Sequence, residues 1–309
     1  MGDDVAPVLF FDRVLPEGVA AIVAGRATVV GPDDIDLADA DGVIAGVRRW
    51  DGAAMDLGAR LRVISRTGIG YDSVDVDAAT ARGIVVCHAP DAPTVSTAEH
   101  AVALMLAVTK DLNGWADRPA AAPGSPPGIE LAGATLGLFG YGRIARRVGV
   151  VGRALGMRVI AHDPFLTSAD DVDLVDSDTL WREADVVSLH APGTPSTHHI
   201  VNADVLAAMK PGSFLVNCAR GSLVDHDALL DALERGHLAG AGLDVSEPEP
   251  LPPNHPLRRQ PRVVTTPHIA SQTRTGRLRL YADAIESALA VLSGTGGCIV
   301  PEQLPGRTS

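Results

Sequence analysis

Three kinds of reactive side chain sit where apolar runs of this chain end. Arg220 follows Ser213–Asn217, His268 follows Arg262–Thr265, and Glu247 and Glu249 lie in the Pro-rich stretch after Ala239–Leu243. In open parallel sheets, ligands collect outside the carboxyl ends of the strands, so these positions are where chemistry is expected. A guanidinium there offers two parallel donors to a planar carboxylate. A histidine can pass a proton when an acid on its other ring nitrogen fixes the ring and favours its charged form. Spacing alone does not choose between Glu247 and Glu249. Each residue also has a plainer reading: Arg220 as half of an ion pair with Asp225 or Asp244, and His268 as a structural histidine.

A second pattern tips the balance toward function. The apolar run Ala134–Phe139 leads into Gly140-Tyr141-Gly142-Arg143-Ile144-Ala145, then a helix-like stretch to Leu155, then Met157–His162 and Asp163, 21 residues past Gly142. Gly140 permits a tight turn, and Gly142 lets backbone approach a pyrophosphate at the N–H groups that open the helix, those of Arg143 and Ile144. Ala145 replaces the third glycine of the pattern, since one methyl still allows close helix–strand packing. Asp163 can accept the ribose hydroxyls of an adenosine, and its charge repels a 2′-phosphate. Pro164-Phe165-Leu166 supplies no cation to offset that repulsion, so NAD is expected rather than NADP. The alternative is a tight βα turn in some other doubly wound sheet, and the strand before the glycines, the helix after them and the acid beyond weigh against it.

The elements that must position these residues are legible as alternation. Strands are expected at Val8–Asp12, Ala27–Val30, Gly42–Ala45, Arg62–Ser65 and Ile84–Cys87, and again at Ala184–Leu189, Ser213–Asn217, Ala239–Leu243 and Arg262–Thr265. Ser96-Thr97-Ala98-Glu99 reads as a capping box opening an apolar helix to about Val108. Such a helix should be buried all round. Gly114–Pro127 reads as a surface loop, and a last helix runs from about Gln272 to Leu292. The fold class is therefore α/β, with two doubly wound parallel-sheet domains. Residues 94–271 form the dinucleotide-binding Rossmann domain, inserted into a substrate domain of residues 1–93 and 272–309.

Composition narrows the partners. The 309 residues carry a net charge of −12, which argues against nucleic acid or an anionic membrane as partner. An anionic small molecule then needs a local cluster of positive charge. Cys87, Cys218 and Cys298 lie far apart, which suggests neither a disulfide framework nor a zinc site. No apolar run approaches the roughly 20 residues that span a bilayer. The acidic N-terminus has no signal core, and Ala6 stands where a myristoylation signal wants Ser or Thr. A cytoplasmic protein is expected.

The ordered motifs resemble those of the NAD-dependent D-2-hydroxyacid dehydrogenases, a family that includes glyoxylate/hydroxypyruvate reductases and 3-phosphoglycerate dehydrogenases. The resemblance covers about residues 40 to 305. It rests on Arg66–Asp72, Val95–His100, Gly140–Ile144, Ser188–Pro192, Met209–Gly212, Asn217–Gly221, Leu243–Val245 and Thr266–Ile269. It implies that Glu249, five residues after Asp244, partners His268. It implies that Arg220 binds the substrate carboxylate and carbonyl, and that the N–H groups of Ile69 and Gly70 hold the other side of the carboxylate. Thr97, His190, Pro192, Thr197, Cys218 and Asp244 would line the cofactor. The first domain would be flavodoxin-like, and the protein would dimerise through the nucleotide domain. Gly114–Glu130 departs from the family pattern and keeps only Trp115 of a Trp-rich segment, which leaves the detail of that interface open. The chain also stops at Ser309, so feedback control through an appended domain is not expected.

Substrate choice is less legible. Arg48 and Arg49, in Gly46-Val47-Arg48-Arg49-Trp50 after the third strand, could read a second anionic group such as a phosphate or distal carboxylate. They could equally be solvated arginines beside a packed Trp50. The activity implied is interconversion of a 2-ketoacid and a D-2-hydroxyacid. Formate oxidation is disfavoured because that branch has glutamine where Glu249 stands. Phosphite oxidation would use the same three residues. An NAD-sensing protein like the corepressors of this fold would also keep them, though the acidic balance and the lack of a disordered extension argue against it.

Overall fold

A computed structural model describes residues 6–32, 37–112 and 128–304. The expected loop at Gly114–Pro127 lies outside the described residues. The chain divides into two compact units, Met1–Pro93 with Gln272–Ser309, and Thr94–Ser271.

The first unit opens with β1 (Val8–Phe11), α1 (Val19–Val23), β2 (Thr28–Val30), β3 (Gly42–Ala45), α2 (Gly52–Met55), β4 (Val63–Arg66), α3 (Val76–Ala81) and β5 (Val85–Cys87). Its strands are parallel in the order β2-β1-β3-β4-β5, the flavodoxin-like order. All residues of β3 and β4 are buried, as a sheet covered on both faces requires. Asp51 and Asp75 start α2 and α3 by accepting from the N–H groups of Ala54 and Ala78 at 3.0 and 2.8 Å. Fully buried Leu9, Phe11, Ile44, Trp50 and Ile64 anchor the core.

The second unit comprises α4 (Thr94–Thr109), β6 (Thr135–Phe139), α5 (Arg143–Ala154), β7 (Arg158–His162), β8 (Asp173–Leu174), α6 (Ser177–Glu183), β9 (Val186–Leu189), α7 (Ala203–Ala208), β10 (Ser213–Asn217), α8 (His226–Glu234), β11 (Leu238–Leu243) and β12 (Val263–Thr265). The parallel order is β12-β11-β10-β9-β6-β7-β8. Connections reverse direction between β6 and β9, the switch point where such sheets bind ligands. Helix α5 lies close on β6 because Gly149 and Gly152 carry no side chain. A Cβ on Gly152 would stand 2.7 Å from Leu136 Cδ2. Afterwards α9 (Arg274–Leu292) returns to the first unit and packs on β3 and β4.

Two expectations need correction. Helix α4 begins at Thr94, directly after Pro93, so Ser96 and Thr97 are buried inside its first turns and Ser96 is not a cap. A proline's fixed φ suits the start of a helix, and the capping-box pattern misleads here. The second sheet also has an edge strand, β8, too short and polar to show in hydrophobic alternation. Within its own unit α4 buries one face against β10, β11 and α5 and leaves Ala103 exposed. Among the described residues no helix is long and apolar enough to cross a membrane.

Candidate active site

The glycine turn is built by close approach. Gly140 has φ +86°, and a Cβ there would lie 2.8 Å from the Ala191 nitrogen and 2.9 Å from the His190 carbonyl carbon. Both the conformation and the neighbour demand glycine. Gly142 differs: a Cβ there would meet nothing within 4 Å, so the space over the turn is open. Helix α5 starts at Arg143 with no side chain capping it. An open cradle above an uncapped helix N-terminus is the arrangement that receives a pyrophosphate, so these residues fit the nucleotide that the sequence implies. Asp163, at the end of β7, accepts from the Tyr141 N–H at 2.9 Å and the Phe165 N–H at 3.0 Å. Its carboxylate is thereby held at the rim of the same turn.

The next strand end carries His190, whose Nε2 lies 2.9 Å from Ser188 Oγ. Desolvation pushes its pKa down to about 4, so the ring is neutral at physiological pH. Pro192 and Thr197 are joined, since Thr197 Oγ1 donates to the Pro192 carbonyl at 2.7 Å.

Three adjacent strand ends then deliver the reactive trio. Arg220 follows β10, and its Nη1 donates to the Ala219 carbonyl at 2.7 Å. Asn217 braces that loop, donating to the Arg220 carbonyl at 2.8 Å and accepting from the Ala219 N–H at 3.0 Å. Of the acids considered as partners for Arg220, Asp225 caps α8 and Asp244 is engaged as described below. A Cβ on Gly221 would fall 2.1 Å from the Ser246 carbonyl carbon, so the Arg220 loop abuts the loop after β11. That second loop holds Glu249. After β12, His268 Nδ1–H donates to Glu249 Oε1 at 2.5 Å, a bond that does not use Nε2. Glu247 points instead to His198 and His199.

Asp244 is almost fully buried. It accepts from Thr266 Oγ1 at 2.6 Å and from the Ile269 and Ala270 N–H groups at 2.8 Å each. His100 Nε2 stands 3.0 Å from Thr266 Oγ1 and 3.4 Å from Asp244 Oδ1. Burial alone pushes the Asp244 carboxyl up. The bonds from His100, Thr266, Ile269 and Ala270 outweigh it and hold the group below its ordinary value. Asp244 therefore staples the loop that carries His268. Neighbouring Cys218 is also buried; burial first and Asp244 second push its thiol up, so it is unreactive near neutrality.

Thr97 is buried in α4, apart from these bonds. Ile69, Gly70, Arg48 and Arg49 belong to the other unit. There, buried Arg66 donates to the carbonyls of Ala45, Gly46 and Gly70, and His88 Nδ1 lies 2.9 Å from the Ile69 carbonyl. Those bonds fix the carbonyl side of the Ile69–Gly70 turn. Arg48 lies over the buried Trp50 ring, 5.1 Å from its centroid, and Arg49 approaches Asp51 at 4.0 Å.

Sequence reading missed the positioning roles of His100, Asn217, Arg66 and Thr266. Each stood within or beside a quoted motif, but a side chain's partner across the fold has no local signature.

Sheet order and glycine turn together define a nucleotide-binding α/β protein. The description "D-isomer specific 2-hydroxyacid dehydrogenase, NAD binding domain" matches residues 102–270. The chain belongs to that family. It is 39% identical over 244 residues to a D-3-phosphoglycerate dehydrogenase of Synechocystis sp., covering 77% of this chain and 44% of that one. It is 36% identical over 313 residues to a glyoxylate reductase of Thermofilum pendens, covering 93% and 92%. The crystal structure of the TT0316 protein from Thermus thermophilus superposes with a TM-score of 0.86 at 42% identity, covering 94% and 98%. The chain spans about half the length of the Synechocystis and Archaeoglobus fulgidus phosphoglycerate dehydrogenases it matches, 44% and 49%.

Proposed function

We propose that this protein is an NAD(H)-dependent oxidoreductase that interconverts a 2-ketoacid and a D-2-hydroxyacid. The observation that carries the reading is the His268–Glu249 pair at the strand ends adjoining Arg220, on the same sheet as the glycine turn. A bound nicotinamide supplies the hydride for the carbonyl carbon. Arg220 clamps the substrate carboxylate with two parallel donors and polarises the carbonyl. His268 gives the Nε2 proton to the carbonyl oxygen, and Glu249 holds the ring in the orientation that makes Nε2 the donor. His190 is unsuited to that task because its ring is neutral and has no acid partner among the described residues.

Gly140, Gly142, Arg143, Ile144 and Asp163 hold the adenosine diphosphate part of the cofactor. Thr97, His190, Pro192, Thr197, Cys218 and Asp244 flank its remainder. The Asp163 carboxylate favours NAD over NADP. The N–H groups of Ile69 and Gly70 serve as further carboxylate donors, supported by carbonyls that Arg66 and His88 already engage. We place the protein in the cytoplasm as a homodimer formed through the nucleotide unit, where Leu112, Val150 and Val151 are exposed apolar side chains.

The test is NADH oxidation by the purified protein with glyoxylate, hydroxypyruvate, pyruvate, oxaloacetate, phosphohydroxypyruvate and phosphonopyruvate. Turnover of at least one, with the D-hydroxyacid as product, is expected. Silence with all six despite measurable NADH binding would overturn the reading in favour of phosphite oxidation or an NAD sensor.

A further inference from the structure

Glu247 is left over from the proposed chemistry, yet both its backbone and its carboxylate have partners. His226 Nδ1 lies 3.0 Å from the Glu247 carbonyl oxygen, and His226 itself is buried. Gly221 presses its backbone against Ser246 on the preceding side. The Glu247 carboxylate reaches outward to two consecutive histidines. Its Oε2 stands 3.5 Å from His198 Nε2 and 3.3 Å from His199 Nε2.

Consecutive side chains in extended backbone point to opposite sides. Here His199 has φ +49°, a left-handed value uncommon for a residue with a side chain. The two imidazoles consequently share one side, stacked with ring centroids 4.0 Å apart and planes 23° apart. Backbone bonds hold this geometry: the His199 N–H donates to the Ser222 carbonyl at 2.8 Å, and that of Val201 to the Leu223 carbonyl at 3.0 Å.

We propose that His198, His199 and Glu247 form a site for a divalent transition-metal ion of the zinc class. The three ligand atoms lie within 4.8 Å of one another. Ligands about 2.05 Å from a tetrahedral zinc stand about 3.4 Å apart, which the His–Glu separations of 3.5 and 3.3 Å match. Two imidazoles and one carboxylate select zinc-like ions over magnesium or calcium, which prefer oxygen alone. The fourth position opens to solvent, since His198 and Glu247 are exposed. Metal binding requires the stacked rings to fan apart so that both lone pairs converge. Once bound, the ion joins the segment after β9 to the loop that carries Glu249.

The experiment uses the full chain, stripped with a chelator, dialysed and then saturated with NADH. Cobalt(II) is titrated and followed by its visible absorption, and zinc(II) and magnesium(II) by calorimetry, for wild type, His198→Ala and Glu247→Gln. The expected result is one equivalent of cobalt with tetrahedral-type bands, displaced by zinc, and no heat with magnesium. Each substitution should weaken zinc by at least about tenfold, while unchanged melting of the metal-free variants shows that they fold. Absence of zinc binding up to millimolar concentration would overturn the site. So would wild-type affinity in either variant, because the ion would then lie elsewhere.

Discussion

Nδ1 of His268 lies 2.5 Å from Oε1 of Glu249, although the two residues come from loops after different strands. His268 holds a left-handed φ of +53°, and its N–H donates to the Asp244 carbonyl at 2.7 Å. Such backbone persists only where the surroundings over-determine it, and it concentrates at functional sites. Replacing the ring tests proton transfer directly. His268→Ala should lower turnover about 10²- to 10⁴-fold while leaving the NADH dissociation constant within about twofold. Glu249→Gln keeps an acceptor for Nδ1–H but removes the charge, so kcat should fall with little change in KM. Unchanged turnover in His268→Ala, measured under saturating ketoacid, would remove the histidine from the mechanism.

Asp244 should govern acid stability. Its folded pKa is depressed, so the stabilisation is present above the unfolded carboxylate value, about 3.9, and is lost as pH falls through the lower folded value. Asp244→Asn weakens charge-assisted bonds contributing on the order of 1.5–3 kcal/mol each and turns its amide nitrogen either toward the Ala270 N–H or toward the Thr266 and Ile269 donors, which meet opposite carboxylate oxygens. Melting at neutral pH should drop by several degrees, and kcat should fall because the His268 loop loosens. A variant that melts like wild type would show that the staple is dispensable.

The parallel sheets and the glycine turn were legible because they depend on local rules. Apolar runs at strand spacing, Gly140 before an uncapped helix and an acid on the following strand each leave a mark within a few residues. Glu249 was different. Residue spacing could not separate it from Glu247; the family resemblance chose it, and the geometry pairs it with His268 while turning Glu247 toward His198 and His199. The Asp244–His100–Thr266 network was illegible because its members lie up to 166 positions apart and meet only after the sheet forms. Ser96 misled for the converse reason: a correct local pattern was overridden by Pro93 and burial.

His190 predicts a pH dependence of its own. Its folded pKa of about 4 lies below the ordinary value of 6.5, so the unfolded chain binds the extra proton. Stability is therefore complete above pH about 6.5 and declines as pH falls toward 4, by up to about 3 kcal/mol. His190→Asn should flatten the fall in melting temperature between those limits relative to wild type. Parallel curves would mean that His226, also depressed by burial, carries the effect instead.

In the proposed reaction cofactor choice turns on Asp163, whose two oxygens are pinned by Tyr141 and Phe165 N–H groups. Asp163→Ser removes the charge that repels a 2′-phosphate and keeps a hydroxyl for the ribose. The ratio of kcat/KM with NADPH to that with NADH should rise by about 10- to 100-fold, corresponding to roughly 1.4–2.7 kcal/mol. An unaltered ratio would place cofactor discrimination in other residues.

Arg48 and Arg49 separate two substrate classes, and the two arginines are not equivalent. Arg48 covers the buried Trp50 indole, a cation–π contact that gives it a structural role. Arg49 has 84% of its side chain exposed and meets Asp51 only at 4.0 Å, so it can reach a ligand anion without breaking a strong pair. If a second anion is read here, a charge-assisted bond contributes on the order of 1.5–3 kcal/mol. Arg49→Ala should then lower kcat/KM for phosphohydroxypyruvate about 10- to 100-fold and leave glyoxylate unchanged, with no loss of melting temperature. Arg48→Ala should lower the melting temperature through the uncovered Trp50 whatever the substrate. Equal losses for both ketoacids in Arg49→Ala would retire the second-anion role and leave a reductase of small monoanionic ketoacids.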